Sequence, residues 1–476
     1  MSDDILYSTI SELAELLRAR KISSRELTRA YLERLEKLGP HYNALATLTA
    51  KPAEKKAKEA DDLFKRDRVR TPLQGIPYGA KDLLATKDIP TTWGAEPYRS
   101  QVFDFDATVI GKLDKAGAVL LAKLAMVQLA GGGGYRYPSA SMFGPCKNPW
   151  NPAHWAGGSS SGSGAAVAAG LVPFAIGSET WGSILTPASY CGITGLRPTY
   201  GLVSRYGAMA LSWTMDKVGP MCRSAEDCGL VLQVIAGKDS QDPASSGKGF
   251  YYLRDYGRPL TELRIGYSPV DFDERAVESA RSAFRAALEV FQKLGPQMVE
   301  ISLPPMPYRE VAAAIIQAEG STVLEPLIKS GKLDQMPDER QKAGLRAGLE
   351  MPARDYLRAM RLRRLIVEKM RQVFTQVDLI LSPSTPGPAS GIDEALDRRP
   401  GGAAAKVEKR GNTDIGAAGN LAGLPAISLP CGFSTTNLPV AVQLVARPFN
   451  ELTLVTLGRE FQKQTNWHRE RPKLVG

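Results

Sequence analysis

Histidine is nearly missing from this 476-residue chain, which has only His41, His154 and His468. That scarcity argues against a metal centre built on several imidazoles. Any imidazole-based triad must draw on one of the three. Cysteine is sparse and unpatterned. Cys146, Cys191, Cys222, Cys228 and Cys431 are odd in number and none has CxxC spacing, so neither a disulfide framework nor a zinc ribbon fits. Reduced, buried thiols of a cytosolic protein do. No apolar stretch is long enough to span a bilayer. The start, MSDDILYSTI, lacks the basic and apolar regions of a signal peptide. Charge imbalance is small as well, with 60 Lys/Arg against 50 Asp/Glu. The most basic run, 338–371, holds ten Lys/Arg and five Asp/Glu, but at helical spacing it reads as a solvated face and not a nucleic-acid patch.

What is present is an ordinary globular composition, 43% hydrophobic and 23% charged, in a chain long enough for a substantial core. Thr9–Glu12 and Ser23–Glu26 each spell a capping box before a leucine-bearing helix, and residues 52–68 read as a third helix. From about residue 74 short apolar runs alternate with helical patterns. The runs are 118–122, 172–176, 263–265, 298–301, 377–381, 426–429 and 440–445, and the helices include 276–294 and 451–464. Strands buried on both faces and separated by helices predict an α/β sandwich. Residues 240–256 and 386–412 read as polar Gly/Pro-rich loops.

The most unusual stretch runs from Gly157 to Gly164, GGSSSGSG, followed by a small-residue helix. A phosphate loop would need a Lys directly before the Ser/Thr, and there is none. As a dinucleotide fingerprint its third Gly would fall at Val167. The apolar run that follows argues for a packed place over a flexible linker, and a backbone-rich catalytic loop that presents hydroxyls is the further possibility. Gly177–Ile184, GSETWGSI, follows the 172–176 run; a sharp turn there sets a Ser at the sheet edge beside consecutive backbone N–H groups, a geometry that stabilises an oxyanion. A serine nucleophile needs a base. The candidates are one of the three histidines or Lys81, which ends the apolar GIPYGAK and loses its proton readily if desolvated.

These segments closely resemble the amidase signature hydrolases. The resemblance covers nearly the whole chain: GIPYGAKD, FDATVIGKLDKAGAVLLAKL, NPWNPAHWAGGSSSGSGAAVAAG, GSETWGSILTPASYCGITGLRPTYGLVSRYGAMA, MDKVGP and NLAGLPAISLPCGF, in that order. It implies one amidase domain over 1–476: N-terminal helices (1–70), a signature core (71–240), and the remaining sheet, helices and loops (241–476). The implied fold is an α/β/α sandwich with a central mixed sheet covered by helices on both faces. It also implies a Ser-cisSer-Lys triad of Ser183 as nucleophile, Ser159 as bridge after a cis bond from Gly158, and Lys81 as base. The backbone of Thr180, Trp181, Gly182 and Ser183 would form the oxyanion hole, and Ser160 would support the triad. No cofactor or metal is called for.

The chain departs from the family run Asp-x-Gly-Gly-Ser-(Ile/Val)-Arg at two places. Trp181 stands where a Gly is usual, as a core aromatic or a pocket wall, and demands a backbone that suits a non-Gly residue. Leu185 stands where an Arg is usual. With Met126 and Ile184 they are candidate apolar pocket residues. The expectation is a stand-alone cytoplasmic amidase, monomer or homodimer, acting on small or aryl amides, with esters or carbamates as further substrates, without membrane or nucleic acid. The alternative is the glutaminase component of a tRNA-dependent glutamyl/aspartyl amidotransferase, bound to partner proteins. That component usually carries an Asp for the glutamine ammonium where this chain has Thr413, next to Asp414.

Overall fold

The computed structural model describes residues 3–254, 258–397 and 411–474. In chain order its strands are β1 (Leu45–Leu48), β2 (Pro77–Lys81), β3 (Val119–Leu124), β4 (Lys147–Asn148), β5 (Asn151–Trp155), β6 (Phe174–Glu179), β7 (Thr194–Arg197), β8 (Lys217–Cys222), β9 (Arg264–Tyr267), β10 (Gln297–Glu300), β11 (Leu379–Pro383), β12 (Ala426–Phe433) and β13 (Pro439–Ala446). β4 and β5 form a small ribbon. The other eleven make one sheet in the order β1-β3-β2-β6-β8-β7-β12-β13-β11-β9-β10. The sheet is mixed: β2 runs parallel to β3 and β6, and β9 parallel to β10 and β11, while the remaining neighbours are antiparallel. Helices flank it, as expected of an α/β sandwich.

The continuous apolar runs are buried on both faces because helices cover both. β2, β8 and β13 are buried along their whole length. Helix Ser161–Ala168 is built only of Ser, Gly, Ala and Val, so it packs closely on β2 and β6. Helix Leu185–Cys191 packs on β7, β12 and β13. Helix Tyr308–Val323 packs on helices Glu339–Leu349 and Ala353–Gln376, and it and Ala353–Gln376 pack on helix Ile415–Leu421. One hydrophobic cluster extends from Leu6 to Phe461, so the N-terminal helices share the main core. Both capping boxes form: Thr9 and Ser23 each accept from the N–H of the Glu three residues on, whose carboxylate takes the N–H of the cap.

Differences from the sequence reading have local causes. The 172–176 run starts as a strand only at Phe174 and continues through the polar Gly177-Ser178-Glu179, because β8 pairs with all three. Residues 240–254 have no helix or strand, and Arg205 anchors them through Asp242 at 2.9 Å. Of the 386–412 loop, the first part zips onto β5 through Trp155 N–H to Ser390 O and Ile392 N–H to Ala153 O; residues 398–410 lie outside those described. In the basic run, Arg340, Lys342 and Arg346 pair with Asp397, Glu339 and Asp334, and Arg363 is tied to backbone carbonyls. No described helix is long and apolar enough to cross a membrane. No described cluster of His, Cys, Asp or Glu suits a metal ion. The five cysteines are buried and unpaired.

Candidate active site

Sheet register brings the candidate residues together. Parallel strands point their C-terminal ends the same way, and Ala80 of β2 lies opposite Ile176 of β6. Lys81 therefore ends β2 beside Ser178, next to last in β6. Lys81 Nζ lies 2.7 Å from Ser159 Oγ and 2.9 Å from Ser178 Oγ. Ser159 follows Gly158 through a cis peptide bond, at the mouth of helix Ser161–Ala168. A Cβ at Gly158 would stand 2.7 Å from the Trp155 ring and from a Val127 methyl, so only Gly fits there. Ser160 holds the neighbouring strand: its hydroxyl donates to Ser178 O at 3.1 Å and accepts from Ser178 N–H at 3.2 Å. Exposure rises from 0% at Lys81 through 1% at Ser159 to 9% at Ser183. The basic end is sealed and the Ser183 end faces a cavity. None of the three histidines hydrogen-bonds to Lys81, Ser159 or Ser183.

Burial dominates the electrostatics of Lys81. Desolvation of the ammonium pulls its pKa down from 10.5 to about 7, against the smaller opposing charges of Asp216 and Glu179. Its neutral form is thus abundant at neutral pH.

The turn after β6 is organised by Glu179. One carboxylate oxygen accepts the N–H groups of Ile184 and Leu185 at 2.9 and 3.1 Å. The other accepts Arg197 Nη1 at 2.8 Å and Asn420 Nδ2 at 2.9 Å. Burial alone would raise this carboxyl, but the Arg197 and Lys217 charges and these hydrogen bonds hold its pKa at about 2. With 184 and 185 so engaged, no described acceptor takes the N–H groups of Trp181, Gly182 or Ser183. Gly182 has φ +84°, a value that favours glycine. Trp181 is not among the positive-φ residues, so its backbone suits a side chain. Thr180 is fixed through its hydroxyl on Asp216 at 2.5 Å and its carbonyl on Lys217.

Ser183, Gly158, Thr180 and Trp181 line a cavity of about 390 Å³ whose other walls include Tyr135, Leu211, Ala313 and Ile316. Arg340 stands at this cavity, paired with Asp397 at 3.1 Å. Trp181 is half-buried and packs against the main core while lining the cavity, so the core and wall readings both hold. Met126 and Ile184 are fully buried in the core cluster and do not line this cavity. Leu185 lines a different one, of about 160 Å³, with Arg197, Arg275, Arg309 and Thr413. Sequence reasoning missed Ser178, although it lies in the same GSETWGS run. It also missed the wall from helix Tyr308–Val323, which has no motif, and Asn420, whose NLAG segment supplied a signal.

Residues 26–455 match the amidase family. The chain is similar to a glutamyl-tRNA(Gln) amidotransferase component of Methylococcus capsulatus, at 38% identity over 98% of this chain and 98% of the relative. It is similar to the same-named protein of Nitrosospira multiformis, at 36% over 98% and 100%. Among solved structures it resembles native peptide amidase from Stenotrophomonas maltophilia, with TM-score 0.83 and 28% identity over 98% of this chain and 99% of that one.

Proposed function

The chain belongs to the amidase signature family, and on that footing we propose that it hydrolyses amide C–N bonds through an acyl-enzyme on Ser183. The observation that carries this reading is the sealed contact of 2.7 Å between Lys81 Nζ and Ser159 Oγ. Neutral Lys81 takes the proton of Ser159, which takes that of Ser183 as its oxygen attacks the carbonyl carbon. The carbonyl oxygen becomes an oxyanion and accepts from the backbone N–H groups at 180–183. Such donors act strongly because they are already in place, each contributing roughly 3 kcal/mol. Collapse breaks the C–N bond, and the proton held on Lys81 returns through Ser159 to the leaving amine. Water then repeats the cycle on the ester and frees the acid.

Two substrate readings share this chemistry. The similarities favour the glutaminase component of a glutamyl-tRNA amidotransferase: those relatives are 36% and 38% identical, the solved peptide amidase 28%. In that role the enzyme releases ammonia from glutamine beside partner proteins. The stand-alone amidase reading has a specific observation in its favour. Asp414, next in sequence to Thr413, the position expected to serve a glutamine ammonium, is paired with Arg309 at 2.5 Å, and the Thr413 hydroxyl accepts from Arg275.

The test is a panel of anilides, esters, carbamates and glutamine on the purified chain, alone and with the partner proteins of an amidotransferase. Anilide turnover by the chain alone supports the stand-alone role, and glutamine hydrolysis that requires partners supports the other. Ser183→Ala abolishes either. Turnover that survives Ser183→Ala overturns the nucleophile.

A further inference from the structure

The Ser183 cavity has a neighbour. A chamber of about 160 Å³ lies against it, and Trp181 lines both. The two differ in chemistry. On the Ser183 side the walls include Ala130, Tyr135, Leu211, Ala313, Ile316 and Gln317, and the one cation there among the described residues, Arg340, is paired with Asp397. The chamber is lined by three arginines, Arg197, Arg275 and Arg309, with Glu179, Asp271 and Gln443; Arg197 is paired with Glu179 and Arg309 with Asp414. Three of its buried side chains keep an unused polar atom, a donor at Arg197 Nη2 and acceptors at Gln443 Oε1 and Asp271 Oδ1. A buried polar atom without a partner costs about 1–3 kcal/mol, so such a chamber favours a polar occupant.

The indole is a wall shared by the two. It packs partly against the core, and its Nε1 lies across from Gly416: a Cβ built there would stand 3.7 Å from it. Gly182 beside it has φ +84° and carries no side chain, so it adds nothing to that wall.

We propose that Trp181 is the specificity-determining residue of this site: its ring withholds the polar chamber from the acyl group bound at Ser183. The substrates are therefore amides with an uncharged acyl chain. Acyl chains that end in a carboxylate or an amino-acid group would reach Arg275, Arg309 and Arg197 only with the ring gone. This deepens the proposed amide hydrolysis and rests on it. It also bears on the choice of substrate, because the chamber that holds Thr413 is the one closed off.

The test compares a matched pair of chromogenic amides, hexanoyl and glutaryl p-nitroanilide, equal in reach and differing in terminal charge. Wild type is expected to favour hexanoyl by at least tenfold in kcat/KM. Trp181→Gly is expected to shift that ratio toward glutaryl by tenfold or more, and Trp181→Phe to keep the wild-type ratio. Calorimetric binding of glutarate and hexanoate needs no turnover. It is expected to show glutarate binding that appears in Trp181→Gly and is weak in wild type. Trp181→Ala serves as a milder opening should Trp181→Gly not fold. A wild-type preference for glutaryl, or an equal change for both acyl groups in the opened variants with no gain in glutarate binding, overturns the inference. Absence of amide turnover in wild type would instead count against the proposed function, and the binding arm would still decide the role of Trp181.

Discussion

Ser178 is the residue whose role can be separated from the acyl-transfer step. Its hydroxyl is the second hydrogen-bond partner of Lys81 Nζ, at 2.9 Å, and it does not line the cavity at Ser183. It positions the base. A hydroxyl that accepts from an ammonium stabilises the charged form, so removing it favours the neutral amine. Ser178→Ala should therefore move the acid limb of the pH–rate profile below its wild-type position near 7. The plateau should fall about tenfold or more, because Nζ is no longer steered toward Ser159. A profile identical to wild type would leave Ser178 with no part in holding the base. The three residues of the proposed relay stand out in the sequence because each sits in a Gly-rich or apolar motif. Ser178 does not, because what makes it matter is strand register: only the pairing of Ala80 with Ile176 sets it beside Lys81.

The element that matters most is the turn after β6. Its conformation is held by one buried carboxylate that collects two turn N–H groups, Arg197 of β7 and Asn420 of helix Ile415–Leu421. Two motifs far apart in sequence, GSETWGSI…GLR and NLAG, thus meet at Glu179. Breaking a buried ion pair by removing one charge costs about 3–5 kcal/mol. Glu179→Gln should lower the urea unfolding free energy by about that much and slow turnover, since the N–H groups at 181–183 lose their support. The pH dependence has a definite sign. The folded pKa is held at about 2, below the ordinary 4.5, so this stabilisation is complete above pH 4.5 and is lost as pH falls toward 2. The variant should lack that acid-range slope, as urea melts at several pH values would show. If the melts of the two proteins coincide, Glu179 does not organise the turn. The strands flanking this element were hard to read. β7 is TGLR and β8 is KVGPMC, both carrying Gly and buried charge, whereas the apolar runs of β3, β12 and β13 announced themselves. Arg197 and Lys217 look like surface cations in sequence and are buried because Glu179 and Asn420 wait for them.

At the scale of the whole molecule, the sheet supplies a sealed end for the base and the helices supply the cavity. The alternation of apolar runs and helices foretold the sandwich. The helices that wall the cavity carry no motif, so the pocket emerged only from packing, and Met126 and Ile184 proved to be core. What the proposed relay requires is a lysine uncharged at neutral pH, in contact with the Ser159 hydroxyl, and a nucleophile at Ser183 facing the cavity. The most direct measurement is the rate at which an alkyl fluorophosphonate labels Ser183, followed by mass spectrometry across pH in wild type and in Lys81→Ala. The expected result is labelling confined to Ser183, rising through pH about 7 in wild type. In Lys81→Ala it should be slower by about 100-fold or more and without that rise. Labelling of Lys81→Ala at wild-type rates, or of a different residue, would contradict the relay.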